Sequence, residues 1–123
     1  MVFRSLILGI ALTIAGSAWA HHYDAFFDRE APIMLTGTVV EFRLMNPHSF
    51  VYVDVMGRDG RVDTWALAIK RNVGQLVRAN WSSGSIRPGE IVKATVSPLR
   101  DGTPNGLLEE IVLSDGTVLI ASR

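Results

Sequence analysis

The sequence contains no cysteine and only three histidines in 123 residues. Without cysteine, the chain forms no disulfide bond and carries no lipid-anchored cysteine. Lysine plus arginine and aspartate plus glutamate number twelve each, so the chain lacks the excess of positive charge that marks a nucleic-acid-binding protein. We therefore expect a domain that is held together by packing and hydrogen bonding and that has no nucleic-acid partner.

Motifs for catalysis are also missing. No glycine-rich phosphate loop and no closely spaced pair of acidic residues stands out as a catalytic motif. His48 and Ser49 are adjacent, but neighbouring residues of a strand point to opposite faces, so the two side chains do not align as a nucleophile and its base. These absences predict a protein that is not an enzyme.

A long hydrophobic run occurs only at the start of the chain. Residues 1–4 form a short positive leader, residues 5–16 are apolar, and Ala18 and Ala20 are small residues where a signal peptidase requires them. An uncleaved anchor helix is the alternative, but the run is shorter than the roughly 20 residues that span a bilayer. We predict a signal peptide over residues 1–20, cleavage after Ala20, and a periplasmic or secreted product without a stable membrane span.

Residues 21–33 show no clean periodicity, and Pro32 disfavours a helix because the residue before a proline is pushed toward extended geometry. We predict that this segment is an extended N-terminal arm. Phe26 and Phe27 would pin it to a single domain over residues 34–123.

Strand patterns dominate that domain. Residues 34–44 are rich in β-formers, and because Val39 and Val40 are adjacent we expect a bend or bulge near residues 37–41. After the turn at Asn46 and Pro47, valine alternates with Phe50 and Tyr52, which predicts a strand with two distinct faces. Tight turns follow at residues 57–60, 87–90 and 114–117, and further strands are expected over residues 62–69, 91–99, 107–113 and 118–120.

One short helix is predicted between the third and fourth strands. Asn72 is a suitable N-cap, and Val73, Leu76 and Val77 make one apolar stripe. Asn80 is expected to end the helix in the left-handed conformation, with Trp81 packing back on the last turn.

This order of elements is typical of an OB-fold-like five-stranded antiparallel β-barrel with one short helix between strands 3 and 4. An open β-sandwich is the alternative. Ligands of OB-folds lie across strands 2 and 3, between the loops that join strands 1 to 2 and 4 to 5. In this chain those loops are residues 44–48 and 100–106.

Motifs along most of the chain carry a resemblance. They are His21-His22, Phe27-Asp28, Leu35-Thr36-Gly37-Thr38-Val39, Glu41-Phe42, Asn46-Pro47-His48, Val53-Asp54-Val55, Trp65, Leu76, Arg78, Trp81, Pro88-Gly89, Arg100-Asp101-Gly102 and Ser114-Asp115-Gly116. In this order they resemble an uncharacterised family of short exported proteobacterial proteins, filed under domains of unknown function. The resemblance implies an exported OB-like domain and no established activity. The chain departs from the family pattern at Ala68, where an acidic residue is expected, and at Lys70-Arg71-Asn72, which replaces the usual helix start.

Two hypotheses for function follow, both for a small periplasmic binding module. In the first, the arm folds over the turn that contains His48, and His21, His22 and His48 bind copper or zinc, since imidazole nitrogen suits both metals. Met45, or Asp24 with Asp28, would complete the shell. The alternative is that the terminal histidines hold no metal and that Asn46 and His48 hydrogen-bond the turn.

The second hypothesis is a protein- or envelope-ligand-binding module without metal. Its site would contain the turn residues Asn46 and His48, the outward-facing Phe50 and Tyr52, and Arg100 on the loop after strand 4. The alternative for the two aromatic residues is that the arm covers them with Phe26 and Phe27.

Overall fold

The computed structural model describes residues 24–122. The predicted signal peptide, its cleavage site, His21 and His22 lie outside the described residues. Within residues 24–122, no helix combines the length and the apolar character that a membrane crossing needs.

The described part of the chain is built mainly of β-strands. In chain order the elements are β1 (Ile33–Arg43), β2 (Ser49–Met56), β3 (Val62–Ile69), α1 (Val73–Arg78), β4 (Ile91–Pro98), β5 (Asn105–Val112) and β6 (Val118–Ile120).

The strands form one sheet in the order β3-β2-β1-β4-β5-β6, and an additional pairing between β3 and β5 closes β1 to β5 into a barrel. The closing pair is parallel, whereas the other pairs are antiparallel. This closed five-stranded barrel with one short helix confirms the predicted OB-like fold, and β6 adds a short sixth strand along β5.

The expected bulge in β1 is present. The register with β2 shifts between Val39 and Glu41, so Val39 is 2% exposed while Val40 is 46% exposed. The bulge lets two adjacent valines point in different directions, and it bends β1 so that its first half pairs with β4 and its second half with β2.

The barrel interior is the main hydrophobic core. Val51 and Val53 of β2 are fully buried, and Trp65 is partly buried against the same cluster. Leu76 is the fully buried residue of α1 and contacts this core, so the helix plugs the barrel as predicted. The other fully buried large side chains of this core come from the remaining strands and one loop: Val39, Leu67, Ile69, Ile86, Val92, Val96, Leu108 and Ile111.

The helix begins and ends as the sequence predicts. Asn72 accepts a hydrogen bond from the backbone of Gln75, whose side chain accepts one in return, which makes a capping box. At the other end Asn80 has φ +67°, and the Trp81 N–H donates to the carbonyl of Leu76 over 2.9 Å. The prediction for Val77 is wrong, because this side chain is 53% exposed. Because the helix is short and lies across the end of the barrel, only one narrow face of it points into the core.

Candidate functional site

The N-terminal arm lies along the connection between β4 and β5. Phe27 forms an antiparallel bridge with Leu99, the Asp28 N–H donates to the Pro98 carbonyl over 2.8 Å, and the Arg100 N–H donates to the Phe26 carbonyl over 2.9 Å. The arm therefore adds a very short strand beside the β4–β5 connection.

Only one of the two arm phenylalanines is buried. Phe27 is 6% exposed, but Phe26 is 61% exposed. The prediction that both residues pin the arm is therefore wrong for Phe26. The prediction of an extended arm is also wrong at its described start, because residues 24–25 are helical and Phe26 lies in a turn. The Phe27 N–H closes that turn on the Asp24 carbonyl over 3.2 Å, and the turn leaves Phe26 in solvent.

Phe27 belongs to a second hydrophobic cluster, the arm cluster, which consists of Phe27, Ala68 and Leu107 with Phe50 and Leu99 packed against it. Ala68 is the direct register partner of both Phe50 and Leu107. Its small side chain is 4% exposed, at the position where the family resemblance implies an acidic residue. In this chain the position therefore belongs to an apolar contact under the arm.

A cavity of about 260 Å³ opens in the same place. We call it the arm pocket. Its walls are mostly apolar, and it lies over β2, β3 and the start of β5, the side where OB-folds bind ligands. The lining residues are Phe27, Phe50, Ala66, Ala68, Leu99, Asn105 and Gly106.

A row of aromatic and charged side chains continues from this pocket along β2. The rings of Phe50 and Tyr52 stack with centroids 5.9 Å apart, and the guanidinium carbon of Arg43 lies 5.2 Å from the centroid of the Tyr52 ring. Arg43 also donates to Glu41 over 2.8 Å, and this hydrogen bond lowers the pKa of the Glu41 carboxyl. Tyr52 thus presents one ring face to a cation.

Arg100 contacts the arm directly. Its Nε donates to the Ala25 carbonyl over 3.1 Å, and its guanidinium lies 3.9 Å from the Asp28 carboxylate. The following Asp101 accepts hydrogen bonds from the backbone and hydroxyl of Thr103, which lower the pKa of its carboxyl. The Arg-Asp-Gly motif therefore shapes the loop and holds the arm.

The turn between β1 and β2 is tied to its surroundings by two side chains. The Ser49 hydroxyl accepts from the Met45 N–H over 3.0 Å and donates to the Met45 carbonyl over 3.2 Å. Asn46 precedes a cis-proline, and its side-chain oxygen accepts from the Val73 N–H over 2.9 Å. The turn is thereby fixed to the start of the helix.

The strand register places His48 at the end of the barrel where the described arm starts. It comes one residue before Ser49, which is paired with Ile69 at the end of β3, and Lys70 follows Ile69. The ammonium of Lys70 forms an ion pair with the carboxylate of Asp24. The arm and the proline turn therefore meet at the same end of the barrel, although residues 24–122 contain no group of three or more side chains placed to hold a metal ion.

Sequence reasoning missed Ser49 and Lys70 as parts of this region. A serine two residues after a proline turn indicates a hydroxyl that closes the turn, so the role of Ser49 could have been predicted from the sequence. The role of Lys70 could not be predicted from the sequence, because its partner Asp24 is 46 residues away. The two residues meet only once the barrel has closed.

Comparison with known proteins identifies a family but no activity. A family model described as "Family of unknown function (DUF6152)" matches residues 10–109. Neither a search of curated proteins nor a search of solved structures found a match.

Proposed function

The chain belongs to this family of unknown function, and from that premise we propose that it is an exported, non-enzymatic binding module that takes an apolar side chain of a protein ligand into the arm pocket. The observation that carries the proposal is the occupancy of the OB ligand face by the protein's own arm. Export rests on the leader, apolar run and small residues over residues 1–20.

The size of the arm pocket favours a side chain over a whole small molecule. Pockets for drug-sized ligands measure roughly 300–1,000 Å³, and the arm pocket measures about 260 Å³. Such a volume suits one aromatic or branched aliphatic group that is presented by a larger partner. The apolar walls, with Asn105 as a polar lining residue, match this use.

The arm itself indicates how a partner would bind. Residues 26–28 of the arm pair their backbone with residues 98–100 through a single bridge and insert one phenylalanine among Phe50, Ala68 and Leu99. Addition of an extended peptide to an exposed strand is a common mode of peptide recognition, in which backbone hydrogen bonds give affinity and side-chain pockets give specificity. A protein segment with an aromatic residue would use the same contacts.

The polar contacts of the arm are weak enough for exchange. The Arg100–Asp28 and Lys70–Asp24 pairs involve side chains that are 26–57% exposed, and surface ion pairs contribute about 0–1 kcal/mol. Burial of Phe27 and the backbone hydrogen bonds with residues 98 and 100 are therefore the main attachment, and a competing segment with an aromatic side chain would supply both.

A peptide with the sequence of residues 24–30 tests the proposal. We expect it to bind a Phe27→Ala protein, in which the space of the Phe27 ring beside the arm pocket is vacated, at least about tenfold more tightly than the wild-type protein, where the arm competes. Fluorescence anisotropy of the labelled peptide measures this affinity.

The matched controls are a Phe26→Ala protein, since Phe26 is exposed, and a peptide that carries Phe27→Ala. The Phe26→Ala protein should behave as wild type, and the altered peptide should not bind. Equal affinity of both peptides, or no binding to the Phe27→Ala protein, would rule out the pocket as a side-chain receptor. Preferential binding of lipid vesicles in place of the peptide would argue for an envelope lipid as ligand.

A second candidate function, binding of copper or zinc, is favoured by the contact between Asp24 and Lys70 beside His48. Three residues of extended chain span about 10 Å, and the candidate site requires that a processed N-terminus at His21 folds back from Asp24 toward His48. Calorimetry on protein that begins at His21 tests it. We expect saturable binding that His21→Ala and His48→Ala each weaken, and the absence of binding tighter than about millimolar would exclude the metal site.

A further inference from the structure

A second groove, larger than the arm pocket, lies away from it between the turn at residues 87–90 and the turn at residues 113–117, and measures about 650 Å³. It shares no lining residue with the arm pocket. We call it the turn groove. Its volume falls within the roughly 300–1,000 Å³ of small-molecule sites.

The two walls of the turn groove are braced against each other by Glu90. Its carboxylate accepts from the Ser114 hydroxyl over 2.8 Å, from the Ser114 N–H over 3.2 Å and from the Arg87 N–H over 3.3 Å. These hydrogen bonds, with the Ser114 hydroxyl first, lower the pKa of Glu90. Because several donors engage the carboxylate, Glu90 holds the groove in shape and is not its ligand-binding group.

Each wall is also closed by backbone hydrogen bonds. On one side the Gly89 N–H donates to the Val39 carbonyl over 2.7 Å, and the Val39 N–H donates to the Glu90 carbonyl over 2.8 Å. On the other side the Leu113 N–H donates to the Thr117 carbonyl over 2.8 Å. The groove is therefore largely preformed, which reduces the entropy lost on binding.

Besides the braced carboxylate of Glu90, two exposed side chains of opposite charge line the groove from its two walls. Arg87 is exposed on the first wall and Asp115 is exposed on the second. Neither side chain takes part in the ion pairs found among residues 24–122. One oxygen of Asp115 accepts from the Thr117 N–H over 2.8 Å, and hydrogen bonds from Thr117 lower the pKa of its carboxyl, so Asp115 is ionised at neutral pH.

The chemistry between these charges is mixed. Leu113 and Leu119 provide apolar surface in the groove, and Ser85 provides a hydroxyl. A guanidinium on one wall matches a carboxylate group, a carboxylate on the other wall matches an ammonium group, and the leucines match a short aliphatic body.

From this arrangement we propose that the turn groove binds a small zwitterion, an amino acid or a dipeptide, with its carboxylate at Arg87 and its ammonium group at Asp115. This site is independent of the arm pocket, so failure of one proposal would leave the other unaffected.

The test is an NMR titration of the 15N-labelled protein with the zwitterion alanylalanine. We expect saturable shift changes confined to amides of residues 84–90 and 113–119. N-acetylalanylalanine lacks the ammonium group and alanylalanine amide lacks the carboxylate, and each should bind at least about tenfold more weakly, as expected for loss of one charge-assisted hydrogen-bonded pair.

Arg87→Gln and Asp115→Asn complete the experiment. Both residues are exposed, and asparagine retains the oxygen that accepts from Thr117, so the fold should persist. Each variant should weaken binding of the zwitterion about tenfold, and the matched variants Arg58→Gln and Asp59→Asn, in the turn between β2 and β3, should not. Binding of either blocked peptide as tight as that of alanylalanine, shift changes centred elsewhere, or no saturable response would each overturn the proposal.

Discussion

Gly37 shows how one residue without a side chain permits the barrel to close. It lies in β1 opposite Val92 of β4, next to Thr38, which pairs with both Asp54 and Ile91. A Cβ atom at Gly37 would overlap the carbonyl oxygen of Asp54 and the side chain of Val53. The backbones of β1 and β2 therefore approach so closely at this crossing that only glycine fits.

Gly37→Ala should consequently lower the free energy of unfolding by about 1–3 kcal/mol, the usual range for overpacking against rigid neighbours. Urea denaturation followed by circular dichroism measures the change. The matched control is Gly84→Ala, because a Cβ atom there meets its nearest neighbour, the Ser82 hydroxyl oxygen, at 3.9 Å. Equal stability of the two variants would show that β2 shifts freely at this crossing.

Asn46 makes a different kind of contribution at the same scale. Its position in an Asn-Pro turn predicted a role in backbone hydrogen bonding, and its side chain does accept a backbone hydrogen bond. The donor is Val73, 27 residues away at the first turn of the helix. The residue type indicated an acceptor for a backbone N–H, but the identity of the donor depends on how the turn and the helix pack.

At the scale of elements, the helix is marked at both ends by asparagine. Asn72 caps its first turn, and Asn80 adopts φ +67° just beyond its last turn. The resulting bonds, from the Asn80 N–H to the Val77 carbonyl and from the Trp81 N–H to the Leu76 carbonyl, satisfy the open end of the helix. They also direct Trp81 into the core, where it is 3% exposed.

Asn80→Ala should therefore lower the free energy of unfolding by about 1 kcal/mol, since the left-handed conformation is unfavourable for a residue with a Cβ and no local polar group. Asn80→Gly should leave stability unchanged or slightly higher, because glycine adopts positive φ readily. Thermal unfolding of the two variants side by side checks the difference. If alanine and glycine had the same effect, the cost would come from lost side-chain contacts and not from the backbone.

The N-terminal arm shows which features of an element the local sequence predicts and which it does not. The absence of periodicity and Pro32 predicted an extended segment, and the two phenylalanines predicted a contact with the body. Which of the two phenylalanines is buried depends on the bridge of Phe27 with Leu99, 72 residues further along the chain. No local signal distinguishes Phe26 from Phe27.

At the scale of the whole molecule, Glu90 connects three parts of the chain. Its side chain binds Ser114 in the β5–β6 turn, and its backbone carbonyl accepts from Val39 at the bulge of β1. Folding lowers the pKa of this carboxyl from its ordinary value of 4.5, so the folded state binds the proton less readily than the unfolded state. The stabilisation from Glu90 is thus present above pH 4.5 and is lost as the pH falls through the lowered pKa of the folded state.

Glu90→Gln should therefore reduce stability at neutral pH and make the remaining stability fall less steeply on acidification below pH 4.5. Urea midpoints across the acidic range measure both effects. Glu30→Gln is the matched control, because Glu30 is an exposed carboxylate of the arm, and it should retain the acid sensitivity of the wild type. Parallel pH curves for the Glu90→Gln variant and the wild type would place the acid-sensitive group elsewhere.

The sequence by itself determined the local structure of this protein. Alternation placed Val51 and Val53 inside and Phe50 and Tyr52 outside, and glycine, asparagine and proline fixed the turns and both ends of the helix, because these choices depend on backbone sterics within a few residues. Only the tertiary structure decided the parallel closure of β3 on β5, the burial of Phe27 between the arm and the barrel, and the bracing of the turn groove by Glu90. Each of these depends on contacts between residues that are distant in the chain, and such contacts form only when the sheet has closed into a barrel.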